Sequence, residues 1–226
     1  MWRYLVIGIA LMGWMVLSGC YGHTPVKTPR QLEAGEVSGS AQMRVPGWFV
    51  VPGAALLGQY GLGAGDVGGQ VGVGAQNAYG GAFGRVYPTS FLNVGVEATY
   101  LHVFTEYNQD HYDMVRPDFD HNLTAAVDVV GHFEAGKYRI YGGPKGQAVW
   151  WIPDGARQEY DLPPEKQRTQ FEGFTAGLLG GAERTLNDKM SLQAEIMFLP
   201  VGSYQNFDGD ALDENRLQVT FGLNFR

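Results

Sequence analysis

The sequence has little of what a disulfide-braced, nucleic-acid-binding or highly charged soluble domain needs. A single cysteine, Cys20, stands among 226 residues, so no intrachain disulfide braces the fold. Charged residues make up 17% of the chain, well below the ~25% of ordinary globular domains. Positive charge is not in excess: the net charge is −7, which argues against a nucleic acid partner, whose phosphates demand a cationic surface. The apolar stretch Tyr4 to Leu17 is shorter than the ~20 residues of a transmembrane helix. What is plentiful is glycine, with 33 residues, and aromatic side chains, at 13%. The glycines follow no period of three, which excludes collagen, and so many aromatics with so few charges exclude a self-repelling coil. An all-β protein is what remains.

The N-terminus bears on the compartment. Arg3 and the uncharged Tyr4–Leu17 stretch match the charged and apolar regions of a secretory signal peptide. They run into Leu17-Ser18-Gly19-Cys20, which resembles the lipobox of bacterial lipoprotein precursors. The resemblance implies cleavage after Gly19, a diacylglycerol on the Cys20 sulfur and an acylated new amine. Tyr21, rather than Asp, follows the cysteine and resembles the outer-membrane sorting pattern. Residues 1–19 are thus expected to be a signal peptide, 20–34 a tether containing Gly22, Pro25 and Pro29, and 35–226 a single domain.

From Gly35 onward apolar and polar residues alternate. Leu217, Val219, Phe221, Leu223 and Phe225 share one face against Arg216, Gln218, Thr220 and Asn224 on the other, and no helix could use that pattern. Met190 to Phe198, Leu123 to Phe133 and Leu92 to Phe104 repeat it. Ten strands are expected at about Gly35–Arg44, Gly53–Leu62, Asp66–Ala75, Ala78–Tyr87, Phe91–Thr105, His121–Glu134, Lys137–Trp151, Gln170–Thr185, Lys189–Val201 and Asn215–Phe225. Eight is the alternative, because the third and fourth are rich in glycine. Even-to-odd turns are short and odd-to-even connections mostly long, with the third connection, near Gln76-Asn77, the exception.

On these residues the chain resembles bacterial outer-membrane β-barrels. The C-terminal strand is similar to their assembly signal, ending in Phe221, Leu223 and Phe225, although Arg226 follows where the family usually stops. The resemblance implies a closed antiparallel up-and-down transmembrane barrel, delivered to the barrel-assembly machinery, with lipid outside and both termini periplasmic. A soluble lipocalin-like cup on a lipid tether is the rival, since period 2 does not say which face points inward. Aromatics near the strand ends favour the membrane: Tyr87, Phe91, Phe133, Tyr138 and Phe225 at the short-turn end, and Trp48, Tyr79, Tyr107, Trp150, Trp151 and Tyr204 at the long-loop end.

The expected lumen holds Glu97, Asp128, Glu134, Glu183 and Glu195, with Arg85, Arg139, Lys145, Arg184 and Arg216 near them. A barrel this narrow is filled by side chains, and charges within it pair. Gly68, Gly72, Gly74, Gly177 and Gly181 would give room for the alternative, a narrow channel or small-ligand transporter. Thirteen carboxylates against four basic residues lie in the segments Glu106–Asp120, Ile152–Thr169 and Gly202–Glu214, so divalent cations are the partners these loops could take.

Neither Asp110-His111-Tyr112-Asp113 with Asp118, Asp120 and His121, nor Asp208-Gly209-Asp210 with Asp213-Glu214, has a recognised ligand spacing, so no resident metal and no cofactor are expected. Ser38, Ser40, Ser90, Ser191 and Ser203 lie in no nucleophile-elbow motif, and an omptin-like group of Asp110, His111, Asp208 and Asp210 has no distinguishing spacing. The expectation is a non-enzymatic, lipid-anchored barrel with a structural, adhesion or surface-interaction role.

Overall fold

The computed structural model describes residues 27, 30–46, 53–74, 77–103, 121–152, 170–205, 211–212 and 216–226. Ten strands form a closed antiparallel barrel: β1 (Val37–Pro46), β2 (Gly53–Gly61), β3 (Gly65–Val73), β4 (Asn77–Thr89), β5 (Leu92–Val103), β6 (His121–Ala135), β7 (Tyr138–Ile152), β8 (Gln170–Asn187), β9 (Met190–Gln205) and β11 (Arg216–Phe225). A two-residue strand, β10 (Ala211–Leu212), extends the edge of β9. Each strand pairs with its sequence neighbour, and β11 pairs with both β9 and β1, which closes the cylinder. The ten barrel strands lie within four residues of the expected bounds, the Gly-rich β3 and β4 included. Among the described residues no helix is long and apolar enough to cross a membrane. The chain crosses with strands.

The orientation of the faces decides between lipid-facing barrel and soluble cup. Leu56, Val71, Leu178, Val127, Ile196 and Phe221 point outward and are exposed, whereas Gln42, Gln70, Thr99, Thr124, Gln147, Gln193, Gln218 and Thr220 are buried in the lumen. This is the inverse of a water-soluble fold, and it is stable only where hydrocarbon replaces water outside the wall.

The lumen glycines are not open space. Gly68, Gly72 and Gly181 lie directly opposite Phe83, Tyr79 and Tyr141 on the neighbouring strands, and each ring lies across the place where a glycine Cβ would be. The Asn77 side chain meets the Gly74 Cβ position in the same way, and Gly177 falls in the irregular register between Ala176 and Leu178. Gly181→Ala would drive its methyl into the Ala194 carbonyl oxygen and the Tyr141 ring. It is expected to cost about 1–3 kcal/mol of overpacking. Gly58→Ala, where nothing lies within 4 Å of the new methyl, should change stability by less than about 0.5 kcal/mol. Urea midpoints of the two variants in detergent micelles check the contrast.

Two members of the expected aromatic belts belong to the lumen instead. Tyr79 is buried beside Arg44, its ring centroid 5.1 Å from the guanidinium carbon, and the Tyr87 hydroxyl donates to Asp66 inside the short-turn mouth. Strand parity is the reason, since Tyr79, Phe83, Arg85 and Tyr87 share one face of β4. Phe91, Phe133, Tyr138 and Phe225 do face outward at the short-turn end. Trp48 and Tyr107 lie outside the described residues.

Candidate functional site in the barrel lumen

The lumen divides by depth. Its short-turn half is ionic, and its long-loop half is lined mainly by amides and hydroxyls. Asp66 opens β3 directly opposite Arg85 on β4. Arg85 Nε donates to Asp66 Oδ1 at 2.9 Å, and Arg85 Nη2 donates to Asp66 Oδ2 and Gln59 Oε1, each at 2.7 Å. This two-pronged contact fits the planar fork of a guanidinium.

A second cluster spans β5, β6 and β7. Asp128 is directly opposite Gly95 and Lys145, and its carboxylate occupies the space a Gly95 side chain would take. Lys145 Nζ donates to Glu97 Oε1 at 2.6 Å and lies 3.9 Å from Asp128 Oδ2. The remaining cation is Lys27, from the stretch expected to be a tether. Its Nζ is 2.8 Å from Asp128 Oδ2 and 3.1 Å from Glu97 Oε2, and the residue is 8% exposed. Two ammonium groups and two carboxylates thus alternate at the centre of the lumen.

The described part of that stretch docks inside the wall. The Lys27 carbonyl accepts from Gln193 Nε2 at 3.0 Å, and the Arg30 carbonyl from Tyr87 Oη at 3.2 Å. Gln31 Nε2 donates to the Gly63 carbonyl, Leu32 is fully buried, and Gly35 and Glu36 pair with Gly61 through backbone hydrogen bonds of 2.9 Å. Gly61 permits this approach, because a side chain there would strike the Glu33 carbonyl and Leu32. Between Lys27, Arg85, Asn93, Asp128, Tyr141 and Glu195 a cavity of about 20 Å³ remains. That is room for about one water molecule.

Of the charges expected inside, Glu97, Asp128, Glu183, Glu195, Arg85 and Lys145 are buried there. Arg139 reaches Glu183 from the short-turn mouth at 3.3 Å and also pairs with Glu134, which is exposed rather than lumenal. Arg184 is a correction: adjacent to inward Glu183, it points outward and lies over the Tyr138 ring at 5.7 Å. The Arg216 side chain lies outside the described set, as do Cys20 and all four residues of the omptin-like group. Of the expected divalent-cation residues in the loops only His121 is described. Ser38, Ser40 and Ser191 are buried in the lumen, where Ser191 donates to Glu183.

Lys27, Asp66 and Arg44 were not expected in the lumen. Arg44 is fully buried in its long-loop half, donating to Gln42 Oε1 at 2.8 Å and Gln70 Oε1 at 2.6 Å. With these residues, the described lumen holds Lys27, Arg44, Arg85, Arg139 and Lys145 against Asp66, Glu97, Asp128, Glu183 and Glu195, a balanced set. Around Lys27 these charges pair within 2.6–3.1 Å, and among the described residues the space left between them is the one small cavity.

Comparison with curated proteins returns no match. Among solved structures, the N-terminal β-barrel domain of Pseudomonas aeruginosa OprF is 12% identical, with 86% of this chain and 98% of that chain covered at a TM-score of 0.34. Neisserial surface protein A is 11% identical, covering 84% and 93% at 0.38, and the NanC porin is 9% identical, covering 84% and 100% at 0.42. The family model described as outer membrane protein beta-barrel domain matches residues 39–225, which is nearly the whole barrel. The chain belongs to the outer membrane protein β-barrel family.

Proposed function

We propose that the protein is a lipid-anchored, non-conducting outer-membrane barrel that acts through what it displays, in a structural, adhesion or surface-interaction role. The carrying observation is the docking of Lys27 and residues 30–36 in the lumen, where the chain itself occupies the path an ion would take. The neighbouring charges are paired, and a permeating ion would have to break those pairs in a region with room for little more than one water. The short-turn end faces the periplasm in this reading, and the acidic long loops face outward, where they keep the rim hydrophilic and can attract divalent cations.

Lipid attachment at Cys20 fits the docked segment. Lys27 is seven residues after Cys20, and at ~3.3–3.6 Å per residue that stretch spans at most about 25 Å. The apolar band of such a barrel is itself about 25 Å tall, so a chain leaving mid-lumen can return to the periplasmic leaflet. Several acyl chains would hold it there, at ~0.8 kcal/mol per buried CH₂.

Planar-bilayer recording of the folded full chain tests the reading. No unitary current steps are expected. Stable steps from a preparation that also shows heat-modifiable migration would replace it with the channel alternative. Palmitate labelling tests the anchor: wild-type protein is expected to incorporate label in cells, and Cys20→Ser to incorporate none. Equal labelling of the two would remove Cys20 as the attachment site.

A further inference from the structure

We propose that His102 and His121 form a two-imidazole clamp for a divalent late transition metal of the Cu²⁺ or Ni²⁺ class, at the long-loop rim of the outer wall. The two residues lie 19 apart in sequence and close on each other because β5 and β6 pair with His102 directly opposite His121. Their Nδ1 atoms are 2.9 Å apart, with ring centroids at 4.7 Å and planes inclined by 21°. Ring faces resting on one another would keep their atoms at ~3.5 Å or more, so the nitrogens meet edge on. Both side chains follow the outward parity of Val96, Tyr100 and Val127, and both are half-buried. Tyr100 stacks on His121 with centroids 5.5 Å apart and planes inclined by 22°, which holds that ring in place before any metal arrives.

The nitrogen spacing selects the metal. Metal–imidazole bonds of ~2.0–2.1 Å to two nitrogens this far apart meet at about 90°. Square-planar and tetragonal Cu²⁺ and Ni²⁺ take cis donors at that angle, whereas a tetrahedral Zn²⁺ site would need the rings to spread. Water can complete the coordination at this rim, where β5 ends at Val103 and β6 begins at His121. Across this contact one Nδ1 donates its proton and the other accepts it. Binding moves that proton to the Nε2 of the same ring. The proposal is independent of whether the lumen conducts and of the lipid at Cys20.

The test is Cu²⁺ alone, titrated into the folded, tag-free full chain in detergent micelles and read by electron paramagnetic resonance. The expected spectrum is axial with coupling to two nitrogens. His102→Ala and His121→Ala should each leave coupling to one nitrogen at most and weaken binding by at least the roughly 10–100-fold that loss of a mere outer-shell partner costs. His111→Ala should leave both unchanged. Heat-modifiable migration of each variant verifies the fold. Binding that survives the His102→Ala/His121→Ala pair, binding lost with His111→Ala, or a wild-type spectrum with one coupled nitrogen would each overturn the proposal, as would no binding by folded wild type.

Discussion

Replacing Lys27 by Met leaves Glu97 and Asp128 facing each other with one ammonium between them, and the folded barrel is expected to lose about 3–5 kcal/mol. Met keeps most of the side-chain stem and removes the Nζ that lies 5.4 Å from the centre of the Phe83 ring, so the change is mainly one of charge. The carboxylates are unequally served afterward. Lys145 still donates to Glu97 at 2.6 Å but is 3.9 Å from Asp128, so Asp128 becomes the buried ion without a close partner. The molecule can relieve this by letting water in, which requires the docked segment to leave the lumen. The expected readouts are therefore paired: a lower urea midpoint, and trypsin cleavage after Arg30 in the variant but not in wild type. Asp128→Asn in the same chain removes the excess charge and is expected to recover most of the midpoint. An unchanged midpoint with Arg30 still protected would show that Lys27 does not hold the segment.

The strands were legible because each rests on a local rule. Alternation in Leu217–Phe225 or Met190–Phe198 sorts lipid face from lumen face without any long-range information. Even the lumen charges Glu97, Asp128, Lys145, Glu183 and Glu195 followed from parity on their own strands. Parity would also have placed Tyr79 and Tyr87 inside and Arg184 outside; reading depth along the strand in place of parity misassigned them. Lys27 is a different case. It sits between Pro25 and Pro29 in a stretch with no period, and its partner Asp128 is 101 residues away. Nothing local marks it as buried, because its burial is created by the closed wall. The His102–His121 contact was hidden for a related reason: it depends on the register of a hairpin whose connection runs from residue 104 to 120, and no local rule fixes that register.

Asp66→Ala is the second large loss expected, about 3–5 kcal/mol, and it arises from the opposite sign of charge. Asp66 is fully buried, and it accepts from both prongs of Arg85 and from the Tyr87 hydroxyl. Its removal strands a buried guanidinium that retains Gln59 as a hydrogen-bond acceptor, and a neutral amide oxygen does not balance the charge. The single Tyr87 hydroxyl hydrogen, aimed mainly at Asp66, is then free for the Arg30 carbonyl 3.2 Å away, so the docked segment keeps that contact and the loss centres on Arg85. Asp66→Asn keeps the shape and one acceptor oxygen and should lose less than the alanine variant. The decisive comparison is Asp66→Leu with Arg85→Met. Replacing a whole buried ion pair by apolar side chains of similar volume is often neutral or stabilising, so the double variant should stand well above Asp66→Ala. A double-mutant cycle on urea midpoints isolates the coupling, expected at 1 kcal/mol or more on the ~0.5–3 kcal/mol scale of residues in contact. If the double variant falls as far as the sum of the single losses, the two residues act separately, and the ionic pair does not hold β3 to β4 at the mouth where the segment enters.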